Sequence, residues 1–154
     1  MTSIDQLSGF ALFDGLTAAQ RAAVASAARE VDFGAGTRLF EEGQLASGCW
    51  LIRAGRVALE TSFPGRGQSV VQTLGPGDVL GWSWLVPPHH WHFTATAQGP
   101  VSAVELDTAA LRALAQEDPA LGYPLALGFI EVLLARLQST RARLLDMYGS
   151  PRER

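Results

Sequence analysis

The chain has 154 residues, is 47% hydrophobic and carries a net charge of −3, which suits one folded domain with one core and excludes a disordered chain. All twelve cationic residues are arginines, spread along the chain apart from a loose group near the C-terminus, so no basic face for gripping nucleic acid is expected of this chain alone. Charges interrupt every apolar run before it reaches the roughly 18 residues of a membrane span, and the single cysteine, Cys49, cannot close an internal disulfide, so no membrane segment and a cytoplasmic setting are expected.

The opening MTSIDQLSGF has neither a basic nor an apolar leader region, so no signal peptide is read. Residues 4–29 read as helical. Thr17 stands as an N-cap with Gln20 three residues on, the pattern of a capping box, and Leu16 is placed to staple onto Val24 or Ala22. Between 31 and 105 the texture changes to short apolar pieces: VDFGAGTRLFEEG, CWLIRAGRVALETSF, SVVQTLGPGDVLG, FTATAQG and VSAVELD. Gly and Pro separate them, and Gly75-Pro76-Gly77-Asp78 is a firm turn. Strands at this spacing predict a β-sandwich, jelly roll or barrel.

Helical pattern returns after Asp107 or Thr108, either of which can cap, and ends near Pro119. A long helix is expected from about 123 to 148. Its apolar positions Tyr123, Leu127, Ile130, Leu134, Leu137, Leu144 and Tyr148 advance by fours and threes as a heptad seam, which Arg141 interrupts and Leu133, Leu145 and Met147 widen. Such a helix can pack on its own domain and on a partner chain, which predicts a homodimer through residues 123–148; packing within the chain alone is the alternative. Residues 1–149 read as one domain and 150–154 as a frayed tail.

The densest chemistry lies in GWSWLVPPHHWHF, residues 81–93, which holds three of the four tryptophans and all three histidines. On a strand, His90 and His92 would share a face, and with His89 near they could hold a metal. No carboxylate follows in HWHFTATAQG and no other histidine completes a set, so no metal site is assigned. Pro87-Pro88 predicts a rigid loop. Cys49, ahead of Trp50, reads as buried and inert. No paired acid–base constellation, Walker loop or dinucleotide fingerprint is present, so no catalytic activity is expected.

Three stretches, LFDGLTAAQRAAVASAA, GTRLFEEGQLASGCWLIRAGRVAL and LGPGDVLGWSWL, resemble the cyclic-nucleotide-binding domain of the catabolite-activator (Crp/Fnr) type of bacterial regulators. The resemblance runs over about residues 12–144. Its specific parts are EEG before a variable loop, the LIRAGRV hairpin with Gly55 at its turn, and PGDVLG. It implies a mainly β fold with flanking helices: N-terminal helices over 4–29, an eight-stranded jelly roll over 31–106, and C-terminal helices over 108–148, the long one forming a dimer. In that family PGDVLG leads into a phosphate-binding cassette. A Gly opens a turn whose backbone N–H groups face the cyclic phosphate, a Glu takes the ribose hydroxyl, and an Arg followed by Ser or Thr and Ala holds the phosphate.

Here Gly81 sits at the cassette Gly, Trp82 stands at the Glu, and Ser83 falls at an apolar position. Trp84 takes a position usually small, and Leu85 keeps its apolar type. With no gap, His92 falls at the Arg, Phe93 at the Ser or Thr, and Thr94 at the Ala. Thr140, in RLQSTRARL on the long helix, matches a purine-contacting Thr that the family presents across the dimer. Both charged anchors are therefore replaced, which predicts that cyclic AMP is not bound tightly and that no cofactor is implied. A site lined by Trp82, Trp84, Trp91 and Phe93 would suit a flat apolar or cationic ligand. Rings that fill the pocket, and retained cyclic-nucleotide binding, are the other readings. A histidine pair on a jelly roll also resembles the cupin metal site, and haem ligation by one histidine occurs in gas-sensing relatives of the fold.

Two function classes follow. The first is a ligand-sensing regulatory domain; a helix-turn-helix output module would begin where this sequence ends, so either its signal passes to a partner protein or the sequence is a fragment of a longer chain. The second is a dimeric assembly module closed by its own aromatics.

Overall fold

The computed structural model of the chain describes residues 7–65 and 67–149. The capping box forms as its residues predict. Thr17 Oγ1 accepts from the Gln20 backbone N–H at 3.1 Å, and Gln20 Oε1 accepts from the Thr17 N–H at 2.8 Å, which starts α1 (Ala18–Ala25). Leu16 and Val24 lie in one core cluster, as a staple requires.

The helical reading of 4–29 is too long. Within the described residues it reduces to a 3-10 turn at Ala11–Phe13 and α1, and β1 (Ala28–Phe33) begins where helix was expected. Pairing overrides the helix propensity of the Ala-rich run: Ala28 lies opposite Leu106 and Arg29 opposite Glu105, and the two side chains form an ion pair at 2.6 Å. Residues 4–6 lie outside the described residues.

Seven further strands follow: β2 (Arg38–Phe40), β3 (Cys49–Ala54), β4 (Val57–Phe63), β5 (Gly67–Leu74), β6 (Val79–Leu80), β7 (Thr94–Ala97) and β8 (Val101–Leu106). They form two antiparallel four-stranded sheets, ordered β1-β8-β3-β6 and β2-β7-β4-β5. This is the expected eight-stranded jelly roll. The LIRAGRV segment is not a hairpin within one sheet, however. β3 and β4 belong to different sheets, and Gly55 turns the corner between them at φ +90, where a Cβ would meet the Pro100 carbonyl oxygen at 2.3 Å. The expected turn after β5 is present, with Gly77 at φ +92 and Asp78 Oδ2 accepting from the Gly75 N–H at 2.8 Å.

Strand alternation divides the core in two. Trp50 and Ile52 of β3 point between the sheets, with Leu59, Leu74, Leu80 and Ala95. Cys49 and Leu51 point the other way, onto the helices. Asp107 is the cap of α2 (Thr108–Glu117), its Oδ1 accepting from the Ala110 N–H at 3.1 Å. The long helix α3 (Pro119–Gly149) starts earlier than 123. Pro119 suits a first helical position, and Asp118 Oδ1 accepts from the Ala120 N–H at 3.1 Å. Pro124 removes the donor that would serve the Ala120 carbonyl, and Gln20 Nε2 donates to that oxygen instead, at 3.0 Å.

Leu121, Leu125 and Phe129 of α3 are buried against the roll. The predicted seam lies on another face: Tyr123, Leu127, Ile130, Leu134, Leu137 and Leu144 are all exposed, Ile130 by 58% and Leu137 by 56%. By length and composition, Pro119–Met147 is apolar enough to cross a membrane. That departs from the expectation of no such segment: the charges that interrupt the apolar runs are too few to lower the average. In this fold the Leu121–Leu125–Phe129 face is committed to the roll.

Candidate functional site

The cassette begins at Gly81, whose φ is +102 and whose missing Cβ leaves room for the Gly48 carbonyl oxygen, 2.6 Å from where that atom would lie. No other residue fits so close an approach. The next turn is held by the Leu85 N–H donating to the Trp82 carbonyl at 3.0 Å. Trp84 is fully buried. Its indole N–H donates to the Gly81 carbonyl at 3.0 Å, and its ring meets Phe129 of α3 edge-on, centroids 5.5 Å apart at 80°.

The two positions that carry charge in the resembled family contact each other. The half-buried Trp82 stacks on the imidazole of His92, with centroids 5.0 Å apart and planes 22° from parallel. The buried Ser83 hydroxyl lies 3.2 Å from His92 Nδ1. Phe93 packs on the core between the sheets. Thr94 is buried, and its Oγ1 accepts from the Glu42 N–H at 3.0 Å. Trp91 is also buried, stacked on Phe40 with centroids 3.6 Å apart.

Gly81, Trp82, Ser83, Trp84, Leu85 and His92 are thus linked by contacts around one turn, whereas Phe93 packs between the sheets and Thr94 bonds to Glu42. Thr140 is not part of that turn and is exposed on α3. The histidines diverge. His90 makes an isolated bridge with Leu45, His92 stacks on Trp82, and His89 adopts a left-handed φ of 63. Among the described residues no group of three or more His, Cys, Asp or Glu side chains is placed to share a metal ion.

Two arginines that the motif reading did not single out grip the cassette by its backbone. The guanidinium of Arg112 in α2 donates through Nη2 to the Trp84 carbonyl at 2.6 Å. Arg136 of α3 donates through Nη2 to the Val79 carbonyl, two residues before Gly81. Burial lowers the Arg136 pKa from its ordinary value, and the nearby Asp78 carboxylate and Cys49 partly oppose that shift. Arg136 could have been found in the sequence, because it continues the roll-facing stripe Leu125, Phe129, Val132 at helical spacing. Cys49 is buried beneath the same turn. Burial pushes its thiol up from 9.0 to about 12, against smaller lowering effects of the Trp84 indole and Arg136. It is a neutral packing residue, with no thiolate near neutral pH.

At the positions where the resembled family holds its ligand the chain thus places a stacked indole and imidazole, while Arg112 and Arg136 each donate to a carbonyl oxygen.

Residues 30–118 match the cyclic nucleotide-binding domain family. The chain is 28% identical over 136 residues to the "CRP-like cAMP-activated global transcriptional regulator" of Mycobacterium tuberculosis (strain CDC 1551 / Oshkosh), covering 88% of this chain and 59% of that protein. It therefore spans about 59% of the length of that curated relative. A crystal structure from Geobacter metallireducens GS-15, described as a cyclic nucleotide-binding protein, superposes with a TM-score of 0.80 at 32% identity, over 89% of this chain and 99% of that one. The Thermus thermophilus Catabolite Activator Protein superposes with a TM-score of 0.70 at 23% identity, over 87% of this chain and 61% of that one, a likeness of fold. With more than half its length matched and its eight strands wound as the family's roll, the chain belongs to the cyclic nucleotide-binding domain family.

Proposed function

We propose that this chain is a non-enzymatic regulatory domain, working in the cytoplasm as a homodimer through α3, whose cassette has lost tight binding of cyclic nucleotides. The observation that carries this reading is the Trp82–His92 stack, 5.0 Å between centroids, at the two positions where the family places Glu and Arg. A buried phosphate needs a charge and forked donors. Replacing a desolvated guanidinium by an imidazole costs about 2–5 kcal/mol, or roughly 30-fold to several-thousand-fold in affinity. The regulatory role rests on kinship with the CRP-like regulator, and the homodimer on the exposed apolar seam of α3.

The test restores the anchors. Calorimetric titration with cyclic AMP should give no saturation of the unaltered protein below about 100 μM, and a gain of at least about 30-fold in the Trp82→Glu/His92→Arg/Phe93→Ser variant. Micromolar binding by the unaltered protein would contradict the proposal. A folded variant that gains nothing would show that the missing anchors are not what limits affinity. A second reading, an assembly module with a closed pocket, is favoured by the burial of Trp84 and Trp91 and by Phe93 packing on the core. It predicts no small-molecule response in either protein.

A further inference from the structure

A separate cleft of about 460 Å3 lies between the cassette turn and the α2–α3 pair. Its size is in the range of small-molecule sites, which are apolar with a few polar groups at the rim. Trp84 and Leu85 of the cassette form one wall, and Ala115, Leu125 and Ala126 of the helices form the other. Close packing frames the cleft. Gly122 lets α3 approach α2 so closely that a Cβ there would lie 2.6 Å from the Ala115 carbonyl oxygen. The Pro87–His89 loop is pinned by the His89 carbonyl, which accepts from the Ala46 N–H at 2.7 Å. Trp84 is buried behind the cleft wall, its indole N–H bonded to the Gly81 carbonyl, and the half-buried Leu85 and Ala126 and the exposed Pro87 give the cleft its apolar surface.

The rim carries a cation without a counter-ion. Arg112 lines the cleft and uses one Nη2 donor on the Trp84 carbonyl; among the described residues it pairs with no carboxylate. A guanidinium has five N–H donors in a planar fork, so several remain for a ligand. His89, Gln116 and Tyr123 supply further polar groups at the same cleft.

The geometry points to this cleft as a binding site for a small amphipathic carboxylate, with the apolar body against Leu85, Pro87 and Ala126 and the carboxylate on Arg112. The site goes beyond the cassette reading and does not depend on it. Its occupant would touch the cassette and α3 at once, which would couple the ligand to the long helix whatever the cassette binds.

The test is a 1H–15N NMR titration of the full chain with octanoate and, separately, with the uncharged 1-octanol. The expected result is saturable octanoate binding with shifts centred on the Leu85, His89 and Gly122 amides, and at least roughly tenfold weaker binding of octanol, since a charge-assisted contact is absent. Arg112→Gln should weaken octanoate by about tenfold and leave octanol unchanged, and Ala126→Phe should weaken both. Equal binding of acid and alcohol, shifts spread along the exposed α3 face instead, or no saturation by about 10 mM would overturn the proposal. So would a preference for octanoate that survives in Arg112→Gln. If that variant fails to fold, the acid-against-alcohol contrast in the unaltered protein decides. Cyclic AMP is the control: its binding or failure to bind speaks to the cassette reading alone.

Discussion

Trp82 and Trp84 stand two residues apart and answer to different forces. Trp84 is buried against Phe129 with its N–H satisfied. Trp84→Ala should therefore cost about 3–5 kcal/mol, the range for a truncated core aromatic. Trp82 is half-buried, and its ring contact is with the exposed His92. Trp82→Ala should cost nearer 1 kcal/mol. Urea unfolding midpoints separate the two, and equal losses would contradict the division. Beneath them, Cys49 carries a thiol raised from 9.0 to about 12 by burial. The native protein should resist iodoacetamide at pH 8, with labelling only as it unfolds. The sign of the linkage follows from the raised value. Below about 9 the thiol is neutral folded or unfolded and its packing counts in full. Between 9 and about 12 the unfolded chain ionises while the folded one does not, so stability falls as pH rises. Cys49→Ala should flatten that part of the profile.

At the scale of elements, the corner at Gly55 decides how the strands divide between sheets. A left-handed φ of +90 and a carbonyl oxygen 2.3 Å from where a Cβ would sit leave no room for a side chain. The conformation alone costs a non-glycine residue about 1–2 kcal/mol, and the clash adds to it. Gly55→Ala should therefore lower the unfolding free energy by at least that amount, measured by denaturant titration; a change within about 0.5 kcal/mol would contradict the account. The sequence marked Gly55 as a turn but not as a change of sheet, because a local pattern does not say which strands pair. The same limit explains β1. The Ala-rich helix was legible from Thr17 and Gln20, whereas its end at Ser26 depends on the pairing of Arg29 with Glu105, 76 residues away in sequence. The cassette was legible by position from PGDVLG onward. The stacking of Trp82 on His92 was not, because it depends on the path of the loop between them, and neither were the bonds from Arg112 to Trp84 and from Arg136 to Val79, which join segments 28 and 57 residues apart.

The molecule as a whole is organised around α3, which has two apolar faces. Leu121, Leu125 and Phe129 close the roll, and the seam through Ile130, Leu134 and Leu137 is exposed. A seam of this kind repeats at coiled-coil spacing, and burying it against a second copy removes it from water. Sedimentation at micromolar concentration should give the mass of two chains, and Leu134→Glu should give one chain with the fold intact. A monomeric unaltered protein would contradict the dimer.

Whether the cassette binds a cyclic nucleotide is read most directly by titrating the purified, unaltered protein with cyclic AMP and cyclic GMP, followed by tryptophan fluorescence. Trp82 and Trp84 stand in the cassette, so a nucleotide settling there must disturb them. The account predicts no saturable change at micromolar nucleotide. A saturable change in that range would mean that imidazoles and backbone amides have taken over the grip of the absent arginine, and would contradict it.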